Sequence, residues 1–183
     1  MRSWMKKITA AVALTAAFLL VACGSEETPA YYDYIGEIDY MASPAAFVYE
    51  QIDGEEDGFK GIQYHEVTDL GGITSQKEIA VCFYFYTSIS TDAGFVTAGV
   101  EDLAQTLDGQ VLVIAIDAAK QPDVSQAYEI TAYPDFVLVD QGARISTFGS
   151  QDRGIWTMDD VVNWVVENGF TPNYALLGGM IKS

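Results

Sequence analysis

Ile79-Ala-Val-Cys-Phe-Tyr-Phe-Tyr-Thr-Ser-Ile-Ser-Thr-Asp-Ala-Gly-Phe-Val96 is the stretch whose reading decides the rest of this chain. Ile79 to Tyr86 is an unbroken run of apolar and aromatic residues rich in β-formers, the pattern of a strand covered on both faces. It stops at Thr87-Ser88-Ile89-Ser90-Thr91, a hydroxyl cluster suited to capping a helix. Phe95, Val96, Val100, Leu103, Ala104 and Leu107 then recur on one helical face, which predicts a helix as far as Leu107. A buried strand feeding a helix N-terminus puts a short loop where backbone N–H groups and the positive dipole end meet solvent. The loop is a good place for a site, but it holds no residue set that would run a reaction.

Downstream, Asp108-Gly109 ends the helix, and Val111 to Ile116 is a second wholly apolar run. Strand, helix and strand at this spacing imply a right-handed parallel crossover. Asp117 to Gln121 reads as a loop, and Pro122 opens a short helix with Val124, Ala127 and Tyr128 facing inward. Phe136 to Val139 is a third strand, paired antiparallel with Arg144 to Phe148 through the turn Asp140-Gln141-Gly142-Ala143. Thr157-Met158-Asp159-Asp160 has the form of a capping box. Behind it, Val161, Val162, Trp164 and Val165 give the buried face of a last helix that ends at Asn168-Gly169.

Upstream, Phe59 to Thr68 reads as a strand around Ile62, Tyr64 and Val67. Ser43-Pro44 reads as an N-cap followed by proline at the first helical position, so a short helix is predicted over Ala45 to Gln51, docked by Phe47, Val48 and Ile52. Tyr31, Tyr32, Tyr34, Tyr40 and Tyr49 crowd this region. They fit an aromatic patch for a partner or, more simply, rings covering one flank of the core.

The 183 residues suffice for one domain with appendages, and 50% hydrophobic against 19% charged residues argues for a packed body. With 26 acidic and 9 basic residues the net charge is −17, which argues against nucleic acid as a partner. Asp53-Gly54-Glu55-Glu56-Asp57-Gly58 has acids at alternate positions, but Tyr64 stands where a calcium loop needs its bidentate Glu, so it reads as a surface turn. His65 is the single histidine. It has no partner at metal-ligand spacing and makes no Ser-His-Asp constellation, so a surface or structural role is expected. No catalytic residue, metal site or cofactor is assigned.

Arg2, Lys6 and Lys7 precede the apolar run Ile8 to Val21, which is short for a membrane span and has the flanks of a secretory signal. It closes in Leu20-Val21-Ala22-Cys23-Gly24-Ser25, which resembles the lipobox of bacterial lipoproteins. The resemblance implies that residues 1–22 are a signal peptide and that Cys23 is lipidated and becomes the first mature residue. Palmitate and its companion chains bury CH₂ groups at ~0.8 kcal/mol each, so a diacyl anchor is stable. The bilayer is then a partner, and the body lies on the extracytoplasmic face of a bacterial membrane. The expected layout is a tether and tyrosine-rich extension over 23–58, a main domain over 59–170 and a tail over 171–183. Leu176, Leu177, Met180 and Ile181 give the tail enough apolar surface to dock on something.

Strand, helix, strand, helix, hairpin and helix, with a proline just before the hairpin, resembles the thioredoxin fold over roughly residues 59–170. The expected class is therefore α/β, a thioredoxin-like three-layer fold with a central mixed sheet and flanking helices. The resemblance puts Tyr133-Pro134-Asp135 at the family's cis-proline, Gly142 and Gly149 at its hairpin and post-strand glycines, and Ser88-Ile89-Ser90-Thr91 at its redox Cys-x-x-Cys. Cys82 falls at the family's buried acid. Thiol–disulfide exchange needs a thiolate, for which serine is no substitute. Cys82, inside an apolar strand, should be inert.

The expected function is non-catalytic binding of a protein or extended peptide by Ser88, Ile89, Ser90, Thr91, Tyr133 and Pro134, with Tyr86 at the border. The hydroxyls serve equally as plain helix caps. Two alternatives stay open: a redox protein using Cys82 with a partner's thiol, and a structural or assembly subunit at the cell surface.

Overall fold

The computed structural model describes residues 28–55, 58–89 and 93–180. The expected signal segment, Cys23, Ser90, Thr91 and Ile181 lie outside the described residues, as do Glu56, Asp57 and the side chains of Phe95 and Met180.

Among the described residues seven strands form one mixed sheet: β1 (Ile35–Ile38), β2 (Ala45–Gln51), β3 (Lys60–Val67), β4 (Ala80–Tyr86), β5 (Val111–Asp117), β6 (Asp135–Asp140) and β7 (Ala143–Phe148). Their order across the sheet is β1-β3-β2-β5-β4-β6-β7. The strand that opened the sequence reading is held on both edges. It pairs parallel with β5 from Ala80↔Val111 to Tyr86↔Asp117, and antiparallel with β6 from Val81↔Val139 to Phe85↔Asp135. Every residue of β4 from Ala80 to Phe85 and all of β5 are buried, as continuous apolar runs demand.

Among the described residues four α-helices cover the two faces: α1 (Leu70–Ser75), α2 (Ala93–Thr106), α3 (Pro122–Ala127) and α4 (Met158–Glu167). On one face Val100, Leu103 and Leu107, together with Val161, Trp164 and Val165, meet Cys82, Tyr84, Phe136 and Leu138. On the other, Val81, Phe83, Phe85 and Val137 meet Ile73, Val124, Tyr128 and the rings of Tyr31, Tyr32 and Tyr34. These three tyrosines therefore cover one flank of the core. The Thr157 capping box is formed, with the Thr157 N–H donating to Asp160 Oδ2 at 2.7 Å. Gly142 supplies the positive φ of 81° that the β6–β7 turn requires.

The expected helix over Ala45 to Gln51 is instead strand β2. Ala45, Ala46, Phe47 and Val48 are all buried, with successive side chains on opposite faces of a sheet covered twice over. Pairing with β3 from Ala45↔Glu66 to Gln51↔Lys60, and with β5 at Phe47↔Val113, outweighs one turn of local helix. Ser43 does not cap a helix; its Oγ accepts the Asp117 backbone N–H at 2.9 Å. The peptide bond from Ser43 to Pro44 is cis. β1 and β2, inside the expected extension over 23–58, belong to the same sheet as the later strands. Ala127, expected to face inward, is exposed.

His65 is structural. Its Nδ1 lies 2.8 Å from the Gly36 carbonyl oxygen and its Nε2 lies 2.6 Å from Glu50 Oε1, joining β1 and β2 across β3. The tail lies on its own body: the Asn173 N–H donates to the Thr106 oxygen at 2.7 Å and Gln105 Nε2 to the Leu176 oxygen at 2.6 Å. Among the described residues no helix is long and apolar enough to cross a membrane.

Phe47 is 3% exposed and stacks on Tyr64 with ring centroids 4.3 Å apart. Phe47→Ala is expected to destabilise the whole domain by about 3–5 kcal/mol in a single urea transition. A loss below about 1 kcal/mol would show β2 to be peripheral.

Candidate functional site at the cis-proline end of the sheet

β4 and β5 run parallel and end together, and β6 begins beside them. The loop after Tyr86 and the segment before Asp135 thus leave the sheet at the same end. There the bond from Tyr133 to Pro134 is cis. Ser88 and Ile89 are exposed on the first segment, Ile89 to 82%, and Tyr133 is 41% exposed on the second. The topology thereby brings Ser88, Ile89, Tyr133 and Pro134 to one end. Tyr86 is partly buried and stacks on Tyr84 at 5.3 Å.

Two acids that the sequence reading left without a role fix this end. Asp117 is fully buried at the last position of β5. Its Oδ1 accepts the Ser88 and Ala119 backbone N–H groups, each at 3.1 Å. The loop is thus tied to the neighbouring strand rather than only to its own. Asp117 Oδ2 is buried with no hydrogen-bond partner among the described residues. Asp135, 4% exposed beside the cis-proline, accepts the Ser150 N–H through Oδ1 at 2.7 Å. That bond draws the segment after β7 to the same end, where Trp156 packs edge-on to Phe148 at 5.5 Å and Ile155 is wholly exposed. The available signal was an acid closing an otherwise apolar strand run, since a buried carboxylate must find donors.

Between α3 and β6 the backbone is open. Among the described residues, Thr131, Ala132 and Tyr133 make no hydrogen bond through N–H or C=O. Unpaired donors and acceptors beside exposed Tyr133 can pair with an extended chain laid alongside.

The sulfur is elsewhere. Cys82 lies mid-strand, 0% exposed, flanked by Val113 on β5 and Leu138 on β6. Burial pushes its thiol up to about 12. A group that stays neutral to such pH is not the thiolate that exchange requires. Burial first, and the Asp117 charge second, also raise the Tyr86 phenol, so it too is neutral at physiological pH.

These features define a thioredoxin fold: parallel β4 and β5, an antiparallel β6–β7 hairpin, helices on both faces and a cis-proline at the start of β6. A model of the Thioredoxin family matches residues 71–164, just over half of the chain, and the chain belongs to that family. No curated protein matches it significantly. Similar solved structures include the germline-specific thioredoxin Deadhead of Drosophila melanogaster, at 19% identity and TM-score 0.44, over 49% of this chain and 81% of that one. Mitochondrial thioredoxin 3 of Saccharomyces cerevisiae gives 18% and 0.46, over 53% and 85%. A mutant thioredoxin of Halobacterium salinarum gives 23% and 0.45, over 55% and 82%.

Cys82 in the folded protein is expected to resist thiol reagents at pH 8 and to react fully once unfolded. Because its folded pKa is raised from the ordinary 9.0 to about 12, its contribution to stability is complete below pH 9 and is lost between pH 9 and 12. Urea midpoints for the native chain should fall over that window more steeply than for Cys82→Ala. Separately, Asp117→Ala is expected to cost about 1–3 kcal/mol and to speed amide exchange at Ser88 and Ala119.

Proposed function

We propose that this protein is a lipid-anchored, extracytoplasmic thioredoxin-like lipoprotein that binds a protein or peptide without thiol–disulfide exchange. The anchor is an acylated Cys23 following the lipobox-like Leu20-Val21-Ala22. The binding surface is the groove between the Ser88–Thr91 loop and Pro134. One observation carries the reading: the unpaired backbone of residues 131–133 lies beside cis-Pro134, at the end of the sheet where exposed Ile89 and Tyr133 also leave it, with the mature thiol shut in the core. Free main-chain groups give an extended ligand its hydrogen bonds, and exposed apolar side chains give it area to bury. The chain holds two cysteines, Cys23 and Cys82, so no second thiol in this chain can resolve a mixed disulfide at Cys82 once Cys23 carries lipid.

Redox use of Cys82 with a partner's thiol is disfavoured by its complete burial under α2 and α4. Assembly through the tail is disfavoured because residues 173–176 already bond to α2.

The test is recovery of partners from native membranes with the anchored protein, Pro134→Ala and Ile89→Asp, each shown folded by circular dichroism. Loss of the same partner from both variants is expected, and its retention by both would refute the groove. Cys23→Ala is expected to release the protein from the membrane fraction and to abolish palmitate incorporation. A Cys23→Ala protein that stays membrane-bound would refute the anchor.

A further inference from the structure

A second concavity lies at the opposite end of the sheet, outside the span that matches the family, apart from Glu78, Ile79 and the Asp108-Gly109 turn. It is an open cleft of about 720 Å³ at the start of β4 and the end of β2. Its walls include the rings of Tyr32 and Tyr49 and the carboxylates of Glu50, Glu78 and Asp108, with Lys60 at one side. Glu50 is fully committed, its Oε2 to the Tyr32 hydroxyl at 2.7 Å and its Oε1 to His65. It therefore acts as fixed wall, and it holds the Tyr32 ring in place. Glu78 accepts the Ala30 N–H through Oε2 at 2.6 Å, and its other oxygen bonds to nothing among the described residues. Asp108 is exposed at the rim; partial desolvation raises its carboxyl above the ordinary range, and Lys60 pulls it back. Three carboxylates line the cleft with one ammonium, so negative charge is in excess here.

Lys60 shows what this surface accepts. Its ammonium sits 6.0 Å from the centroid of the Tyr49 ring, over the face. The ion pairs among the described residues are His65–Glu50 and Arg144–Glu129, so Lys60 neutralises neither Glu78 nor Asp108 directly. Aromatic faces backed by carboxylates attract cations by the ring quadrupole and by charge together, more strongly where water is partly excluded.

We propose that this cleft is a second binding site, selective for an organic cation whose ammonium group seats against Tyr32 and Tyr49 and is held by Glu78 and Asp108. An anion is disfavoured by three carboxylates against one lysine. The ammonium has two sources, a free solute or a zwitterionic lipid headgroup. Thr28 and Pro29 line the cleft, and five residues reach back to Cys23, a span of at most ~18 Å, so an anchor at Cys23 would bring headgroups within range.

The experiment titrates the full-length protein with tetramethylammonium chloride at constant ionic strength, following the tyrosine ring signals by NMR, with tert-butanol as the neutral isostere. Saturable shifts with tetramethylammonium and none with tert-butanol are expected. Tyr49→Ala should weaken binding about tenfold, while Tyr49→Phe, which keeps the ring, should bind as the native chain does. Lys60→Gln should tighten binding, since it removes the competing internal cation. No saturation, an equal response to tert-butanol, or weaker binding in Lys60→Gln would overturn the proposal. With phosphatidylcholine vesicles and the unanchored Cys23→Ala protein, co-sedimentation reversed by tetramethylammonium assigns the cation to a headgroup. Tetramethylammonium binding without co-sedimentation assigns it to a free solute.

Discussion

Strand β4 is hydrogen-bonded along both edges and covered on both faces, and the rest of the molecule takes its position from that. Its pairing to β5 and β6 fixes where all three strands begin and end. The alternation along it sends Cys82 and Tyr84 into the layer under α2 and α4, and Val81, Phe83 and Phe85 into the layer under α1 and α3. The same constraint separates the chemistry of this chain from its surface. The thiol is four strand residues back from Tyr86, ~13 Å below the sheet end where the exposed loop begins. Any reagent reaching the sulfur would have to displace the α2 and α4 side chains packed over that face.

The exposed end is held by polar groups as well as by packing. Asp117 ties the Ser88 loop to β5, and Asp135 ties the Ser150 segment to β6, each by a carboxylate accepting backbone N–H groups. Charge-assisted bonds of this kind to main chain are stronger than neutral ones and fix direction as well as distance. Two segments that diverge in sequence are thereby held on either side of cis-Pro134. The proposed groove, set in place in this way before binding, would lose less entropy on taking up a flexible chain. The N-terminal strands add to this arrangement without entering it. β2 widens the sheet beside β5, β3 and β1 extend it further, and the tyrosines of residues 31–34 close the flank they create.

What the sequence disclosed follows the same division. β4 and β5 were legible because burial on both faces leaves wholly apolar runs, and α2 and α4 because one-sided burial leaves a 3.6-residue period. The Gly142 turn and the Thr157 capping box were legible because both are local. β2 was not. Ser43-Pro44 is a good local signal for a helix start, and only the distant pairings Phe47↔Tyr64 and Phe47↔Val113 make Ala45–Gln51 a strand. The segments that leave the sheet beside Pro134 were half legible. A proline after Tyr133 and hydroxyls after Tyr86 stand out in sequence, whereas the bond from Asp117 to Ser88 crosses twenty-nine positions and leaves no local trace. His65 belongs with Asp117: its two partners, on β1 and β2, exist only once the sheet is assembled.

The central claim is that this thioredoxin-family chain holds its ligand by contact and not through sulfur. It is tested most directly by intact-mass analysis of the complex recovered from native membranes, after denaturation without reductant and with free thiols blocked. The account predicts that the partner separates completely and that Cys82 is recovered as an alkylated, unoxidised thiol. A partner still attached through a disulfide at Cys82 would contradict it.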